Sequence, residues 1–204
     1  MGENNRAFEE MRKVARSWLE GRDPVEIGKL AGIAFDAERG EFALMSLGRP
    51  VRIHWPDCAI EGGFGDWHAL LLLHCMHRAD GAPLTGRQIS FAQMLDGMVR
   101  GGGFDRDSAA RLSRMLGNRS EAEVERACAA LGAEFVDSNA DLCAVFPLLP
   151  RVPVTLKLWY ADDELPASAR LMLDAGADHY LTIEDAVTAG EVLLGELGKR
   201  IEGS

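Results

Sequence analysis

Residues 146–181 read FPLLPRVPVTLKLWYADDELPASARLMLDAGADHYL, and this stretch decides the fold. Val152–Tyr160 is an apolar, β-branched run with the composition of a strand, and it ends on the aromatic pair Trp159 and Tyr160. Three carboxylates follow, Asp162, Asp163 and Glu164, and then Pro166. Proline suits the first position of a helix, and acids suit its positive end. The segment therefore reads as a strand, an acidic turn and a capped helix. Pro147, Pro150 and Pro153 flank the link from the preceding strand, Leu142–Leu148. Proline cannot donate to a ladder, so that link is expected at a sheet edge.

On the C-terminal side, Thr182 caps the last helix, with Asp185 in its first turn. Ile183, Val187, Gly190, Leu194, Leu197 and Ile201 form one stripe, widened by Ala186 and Leu193. That face is expected to dock on the sheet. Upstream, Phe135-Val136 reads as a short strand. Ser120, with Glu123 three residues later, opens a helix running to Leu131. Another helix spans about Asp107 to Leu116, and Gly101–Gly103 before it reads as a flexible joint. Ser90–Asp96 reads as a turn or two of helix, and Leu84–Ile89 as loop or short strand.

Towards the N-terminus, Asp66 can cap a helix at Trp67–Arg78, behind a glycine-rich loop at Asp57–Gly65. IAFDAERGEFALMSLGRPVRIHW (33–55) turns at Glu38–Gly40 and again at Gly48–Pro50. Connections this short permit antiparallel pairing alone, so a three-stranded meander is expected. Asp23-Pro24-Val25-Glu26 opens a short helix that Gly32 closes. Arg6–Glu20 is helical, with Phe8, Met11, Ala15 and Trp18 on one face. Strands and helices are grouped along the chain. The expectation is a single α+β domain over residues 1–204. Its antiparallel sheet would combine the N-terminal meander and the C-terminal strands, with helices packed over it.

The net charge of −10 repels phosphate backbones and anionic bilayers, which argues against nucleic-acid and membrane partners. MGENNRAFEEMRK lacks the apolar core of a signal peptide, and the longest strongly apolar run is Ala69–Leu73. A cytoplasmic protein is expected. Cys58, Cys75, Cys128 and Cys143 contain no C-x-x-C pair, so they read as buried free thiols rather than cluster or zinc ligands.

Five features carry candidate chemistry. His74 and His77 lie three apart on one helix face, and two imidazoles so placed can hold a transition metal or haem iron. A metal site needs a third ligand; otherwise one histidine faces the core and the other solvent. GGFGDW (62–67) precedes a helix, but it lacks the dinucleotide fingerprint and a P-loop lysine, and Glu61 and Asp66 repel anions. Asp162, Asp163 and Glu164 can raise one another's pKa and act as acid/base groups or hard-cation ligands. They also fit a solvated turn. Because they sit at a strand end beside Trp159, they form the rim of an expected pocket. Arg100, Arg106, Arg111, Arg114, Arg119 and Arg126 bias the middle of the chain towards positive charge, as an anion site or as solvated helix faces. His179 lies in a joint between helices, where nothing local orients it, and no G-x-S-x-G surrounds a serine.

Four segments carry a resemblance: LAGIAFDAERGEFALMSLG, ADGAPLTGRQISFAQM, FPLLPRVPVTLKLWYADDELPASARLMLD and HYLTIED. Together, in order and over most of the chain, they resemble the bacterial and archaeal family of domain of unknown function 3786. The most specific part is W-x-x-D-D-E-x-P-A, here Trp159 to Ala167. The resemblance implies an anaerobic setting and a redox or corrinoid-related partner, since members occur alone or joined to a four-cysteine iron–sulfur module. It implies no reaction. Where the family pattern has Tyr-Leu near the end of the third helix, this chain has His74-Cys75, which weakens a family-wide metal role for His74.

The expectation is a binding or accessory protein without demonstrable catalysis, linked to anaerobic iron–sulfur or corrinoid redox metabolism. Its ligand site would comprise Trp159, Asp162, Asp163, Glu164 and His179, taking a small molecule or an iron–sulfur protein partner. One alternative is an enzyme that joins the acidic cluster to His179 or His74. Another is a haem or metal protein using His74 and His77. The sequence names no cofactor, ligand or oligomeric state.

Overall fold

A computed structural model describes residues 2–203, with side chains from residue 6 onward. Helices α1 (Gly2–Ser17) and α2 (Pro24–Ala31) come first. Strands β1 (Ala34–Asp36), β2 (Glu41–Ser46), β3 (Arg49–His54) and β4 (Ile60–Gly62) follow, then α3 (Asp66–Arg78) and β5 (Gln88–Ile89). Next are α4 (Gly97–Leu116), α5 (Glu121–Ala129), β6 (Glu134–Phe135), β7 (Leu142–Leu149), β8 (Val152–Trp159) and β9 (Ser168–Asp174). Helix α6 (Ile183–Glu202) closes the chain. The fold is α+β, and its antiparallel strands divide into two sheets, β1-β2-β3-β4 and β5-β9-β8-β7-β6.

The N-terminal sheet follows from local turn chemistry. Asp36 accepts hydrogen bonds from the Glu38 and Arg39 amides and so closes the β1–β2 turn. Leu47 and Gly48, with φ of 45° and 72°, make a two-residue hairpin between Ser46 and Arg49. The second turn is therefore Leu47-Gly48 rather than Gly48–Pro50. Positive φ at both positions gives the backbone twist that tight hairpins need. Leu47 is a non-glycine residue in that strained region, and it is fully buried, with its amide donating to Pro147 O at 2.9 Å. This contact joins the two sheets, and Ser46 Oγ adds a second bond to Leu148 O at 2.6 Å. Asp66 is the first residue of α3; the cap is Gly65, which makes no side-chain bond.

The opening segment is corrected by β9. Residues 168–174 form a strand, not the helix that Pro166 and its acids suggest. Ala169, Leu171 and Leu173 are buried, while Ser168 and Arg170 are exposed. That period of two belongs to a half-buried strand. Asp162 closes a β8–β9 hairpin, and none of the three acids caps a helix. The prolines do not mark a sheet edge either. β8 is the central strand of its sheet, and Pro147 falls where the β7–β8 register shifts, between Phe146 and Leu149. Pro153 precedes Val154, where pairing with β9 ends, so no ladder bond is lost there.

Helix α4 starts ten residues before the expected helix, and Gly101–Gly103 lie inside it rather than forming a joint. A Cβ on Gly101 would come within 2.2 Å of Phe91 O, and one on Gly97 within 2.3 Å. These glycines let α4 cross directly over the Phe91–Gln93 turn. Asp105 locks the crossing by accepting from the Phe91 and Ala92 amides. Helix α6 packs chiefly on α3, α4 and α5, whereas α4 lies along β9. The expected docking of α6 on the sheet is thus replaced by a helical layer centred on α6, in which Phe104 seats its ring against Gly190. The other caps read from sequence are present: Asp23 on the Val25 amide, Gly32 in the left-handed region, and capping boxes at Ser120–Glu123 and Thr182–Asp185.

Candidate functional site

An antiparallel sheet packed on one side leaves its other face to solvent. In the second sheet that face carries Lys157 and Trp159 of β8, with Ser168, Arg170 and Met172 of β9. The loop before β7, through Asn139 and Asp141, walls one side. The β8–β9 hairpin, through Asp162, Leu165 and Pro166, walls the other. Between them lies a groove of about 570 Å³.

The loops are tied to the sheet by side-chain bonds. Trp159 Nε1 donates to Asn139 O at 2.9 Å, and the Tyr160 amide donates to Asp141 Oδ2 at 2.8 Å. Asp162 Oδ1 accepts from the Glu164 and Leu165 amides at 2.9 and 2.7 Å, and the Asp162 amide donates back to Leu165 O. Those two amide bonds hold the Asp162 carboxyl below its ordinary range, so it is ionised at neutral pH. Asp163 and Glu164 are exposed on the outside of the turn and do not line the groove. Of the three acids, Asp162 alone reaches the site, as a turn-closing carboxylate.

The structure does not bring His179 to this rim. Trp159 pairs with Ser168 at the start of β9, and His179 follows the far end of that strand. Seven strand residues separate these ends by about 20 Å. His179 Nδ1 instead lies 2.6 Å from Asp80 Oδ2, and this bond is the main cause that holds the Asp80 carboxyl low.

His74 and His77 occupy a third place. Both rings lie against the Trp18 indole, at centroid distances of 5.2 and 5.0 Å. His74 Nδ1 meets Asp185 Oδ1 at 2.6 Å, and Asp185 also accepts from Thr182 Oγ1 at 2.7 Å. Burial pushes the Asp185 carboxyl up, but the hydrogen bonds from His74 and Thr182 outweigh it and leave the group low. An ionised Asp185 can only accept, so His74 carries its proton on Nδ1. These side chains line a pocket of about 340 Å³. His77 is exposed, and among the described residues no three His, Cys, Asp or Glu side chains group as metal ligands. The four cysteines are buried and free. Burial pushes Cys58 up to about 11, and Cys75 and Cys128 up to about 12, so these three are thiols at neutral pH.

Lys157, Arg170, Asn139 and Asp141 are groove residues that local sequence patterns do not mark. The alternation in SARLMLD, read as a strand, would have placed Arg170 on the same face as Lys157. Trp18 and Asp185 around His74 arise from tertiary packing and have no local signal.

No curated protein and no solved structure matches this chain. The family described as Domain of unknown function (DUF3786) matches residues 23–196, a span that includes the groove, the Asp162 turn and the His74 pocket. The chain belongs to the DUF3786 family.

Proposed function

We propose that this protein is a non-catalytic binding module whose ligand site is the groove beside Trp159. The observation that carries this reading is the pre-formed site itself. Its volume of about 570 Å³ suits a small-molecule ligand, and an indole fixed through its N–H lines one end. The groove lining contains no histidine or cysteine, and both of its carboxylates are held by backbone amides, Asp162 within its own turn and Asp141 across to Tyr160. That composition favours binding over acid–base work. The family resemblance adds the setting, an anaerobic cytoplasm with an iron–sulfur protein as partner.

A protein-observed NMR screen with small soluble fragments tests the site. Hits should cluster on the Trp159 indole N–H, identified by its loss in Trp159→Phe. Hits that gather on other surfaces and leave that signal still would sink the reading.

The Asp185–His74 bond favours a second reading at the other pocket, a metal or acid–base centre with His74 Nε2 as the working atom. Titration with Co(II), Ni(II) and Zn(II), read by absorption and NMR, checks it. A stoichiometric response lost in both His74→Ala and His77→Ala supports a metal site.

A further inference from the structure

The β8–β9 register sets Lys157 directly opposite Arg170. Opposite residues of an antiparallel pair share a face, with Cβ atoms about 4.5–5.5 Å apart, and like charges so placed are destabilising. Among the described residues, neither cation forms an ion pair with a carboxylate, and Lys157 Nζ instead meets Asn139 Oδ1 at 3.3 Å. Two carboxylates do line the same groove, but Asp141 and Asp162 point at backbone amides of the walls. The chain carries 32 acidic residues against 22 basic ones, and it still leaves these two cations unanswered on one sheet face.

The groove is therefore polar along its length. Lys157 and Arg170 form a positive floor. One same-face step along β8, about 6.7 Å, leads to Trp159. Asp141 and Asp162 flank that second end with negative charge. A ligand that answers all three features has one anionic group, a planar ring about one strand step away, and N–H or O–H donors on that ring. A second negative charge at the ring end would meet Asp141 and Asp162, so polyanions are disfavoured.

We propose that the groove binds a small organic anion by clamping its carboxylate or phosphate between Lys157 and Arg170 while its planar ring rests on Trp159. This deepens the binding reading above and rests on it. Arg170 suits the clamp because a guanidinium grips a carboxylate or phosphate through two parallel N–H bonds, and Lys157 adds a mobile point charge.

The test compares charged probes with neutral counterparts of the same ring: AMP with adenosine, and indole-3-acetate with indole-3-acetamide. Binding is followed on the Trp159 indole N–H by NMR and by calorimetry. It is measured for the wild-type protein and for Arg170→Gln and Lys157→Gln, with circular dichroism confirming the fold of each variant. At least one anion should bind about 10–100-fold more tightly than its neutral counterpart, and Arg170→Gln should remove that advantage. Preference for AMP or for indole-3-acetate separates a phosphate from a carboxylate. Equal affinity for an anion and its neutral counterpart overturns the anion clamp and leaves the binding reading standing, as does an advantage that survives both variants. No response of Trp159 to any of the four probes at millimolar concentration overturns both.

Discussion

Ser46 Oγ and His68 Nε2 lie 2.8 Å apart at a fully buried junction between β2 and α3. Ser46 donates its own proton to Leu148 O, so it accepts from His68, whose proton is thereby assigned to Nε2. Among the described residues His68 Nδ1 is left as a buried acceptor without a partner, and a Cβ on Gly63 would lie 2.7 Å from it. Burial pushes the His68 imidazole from 6.5 down to about 4. The unfolded chain therefore binds a proton at higher pH than the fold does. Stability is unaffected by this group above 6.5 and falls as the pH drops from 6.5 to about 4. The expected loss is about 3 kcal/mol at 1.36 kcal/mol per pH unit. Urea unfolding at several pH values measures it, and His68→Gln, which keeps an N–H for Ser46, should flatten the slope in that window. An unchanged slope would show that His68 is not the group responsible.

Asp174 anchors the loop that leads into β5. Its Oδ1 accepts from the Thr85 amide, Thr85 Oγ1 and the Gly176 amide, and its Oδ2 accepts from the Gly86 amide. Burial raises its carboxyl, but these bonds outweigh burial and leave the group below 3.8. A depressed carboxyl contributes its full stability above the unfolded value and loses it as pH falls through the folded one. Asp174→Asn should cost about 1.5–3 kcal/mol at pH 7 and lessen the acid sensitivity below pH 3.8. Chemical denaturation at pH 7 and near pH 3 separates the two effects. Equal stability of the two proteins at pH 7 would remove Asp174 as an anchor.

The opposed cations on β8 and β9 predict a stability gain from a loss of charge. Lys157→Gln removes the repulsion from Arg170 and gives up one long bond to Asn139 Oδ1. The variant should be more stable by about 0.2–1 kcal/mol in low salt. The gain should shrink in molar salt, where exposed charges are screened. Thermal unfolding at the two ionic strengths tests this. A salt-independent change in either direction would mean that packing, not charge, governs the position.

Much of the fold is legible because its signals are local. Asp23 with Gly32, Ser120 with Glu123 and Thr182 with Asp185 delimit three helices through bonds between residues close in sequence. Three strands of the N-terminal sheet are legible for the same reason, although the second turn sits at Leu47-Gly48 and a fourth strand, β4, arises inside the segment read as a glycine-rich loop. Strand β9 is not. Pro166 and the acids imitate a helix start, while the competing signal is a short alternation at Ala169, Leu171 and Leu173. The same confusion hides the groove's positive floor. Arg170 faces Lys157 through a strand pairing, and a helix at that position would send it elsewhere. Trp159 is legible because an aromatic residue beside a turn marks a rim without any register. Asp185 and His74 sit 111 residues apart, and their meeting depends on how α6 packs against α3.

The glycines of α4 give a paired prediction in which sign, not size, decides. Alanine is favoured over glycine inside a helix by about 0.8–1 kcal/mol, so helix propensity alone would make both Gly101→Ala and Gly103→Ala stabilising. Packing separates them. At Gly103 a new Cβ meets nothing within 4 Å, so Gly103→Ala should stabilise the protein by most of that amount. At Gly101 the Cβ would lie 2.2 Å from Phe91 O and 2.4 Å from Phe91 C, both backbone atoms of a turn that Asp105 holds in place. Neither neighbour can yield as a flexible side chain would. Gly101→Ala should therefore destabilise by about 1–3 kcal/mol, the usual cost of overpacking. Denaturant unfolding of the two variants at one pH is sufficient. If both stabilise, 101–103 is a helix without close contact. If both leave stability unchanged, the segment is the flexible joint that its glycines suggest. Opposite signs would establish that α4 crosses the Phe91 turn at Gly101, and that its glycines serve close approach rather than freedom.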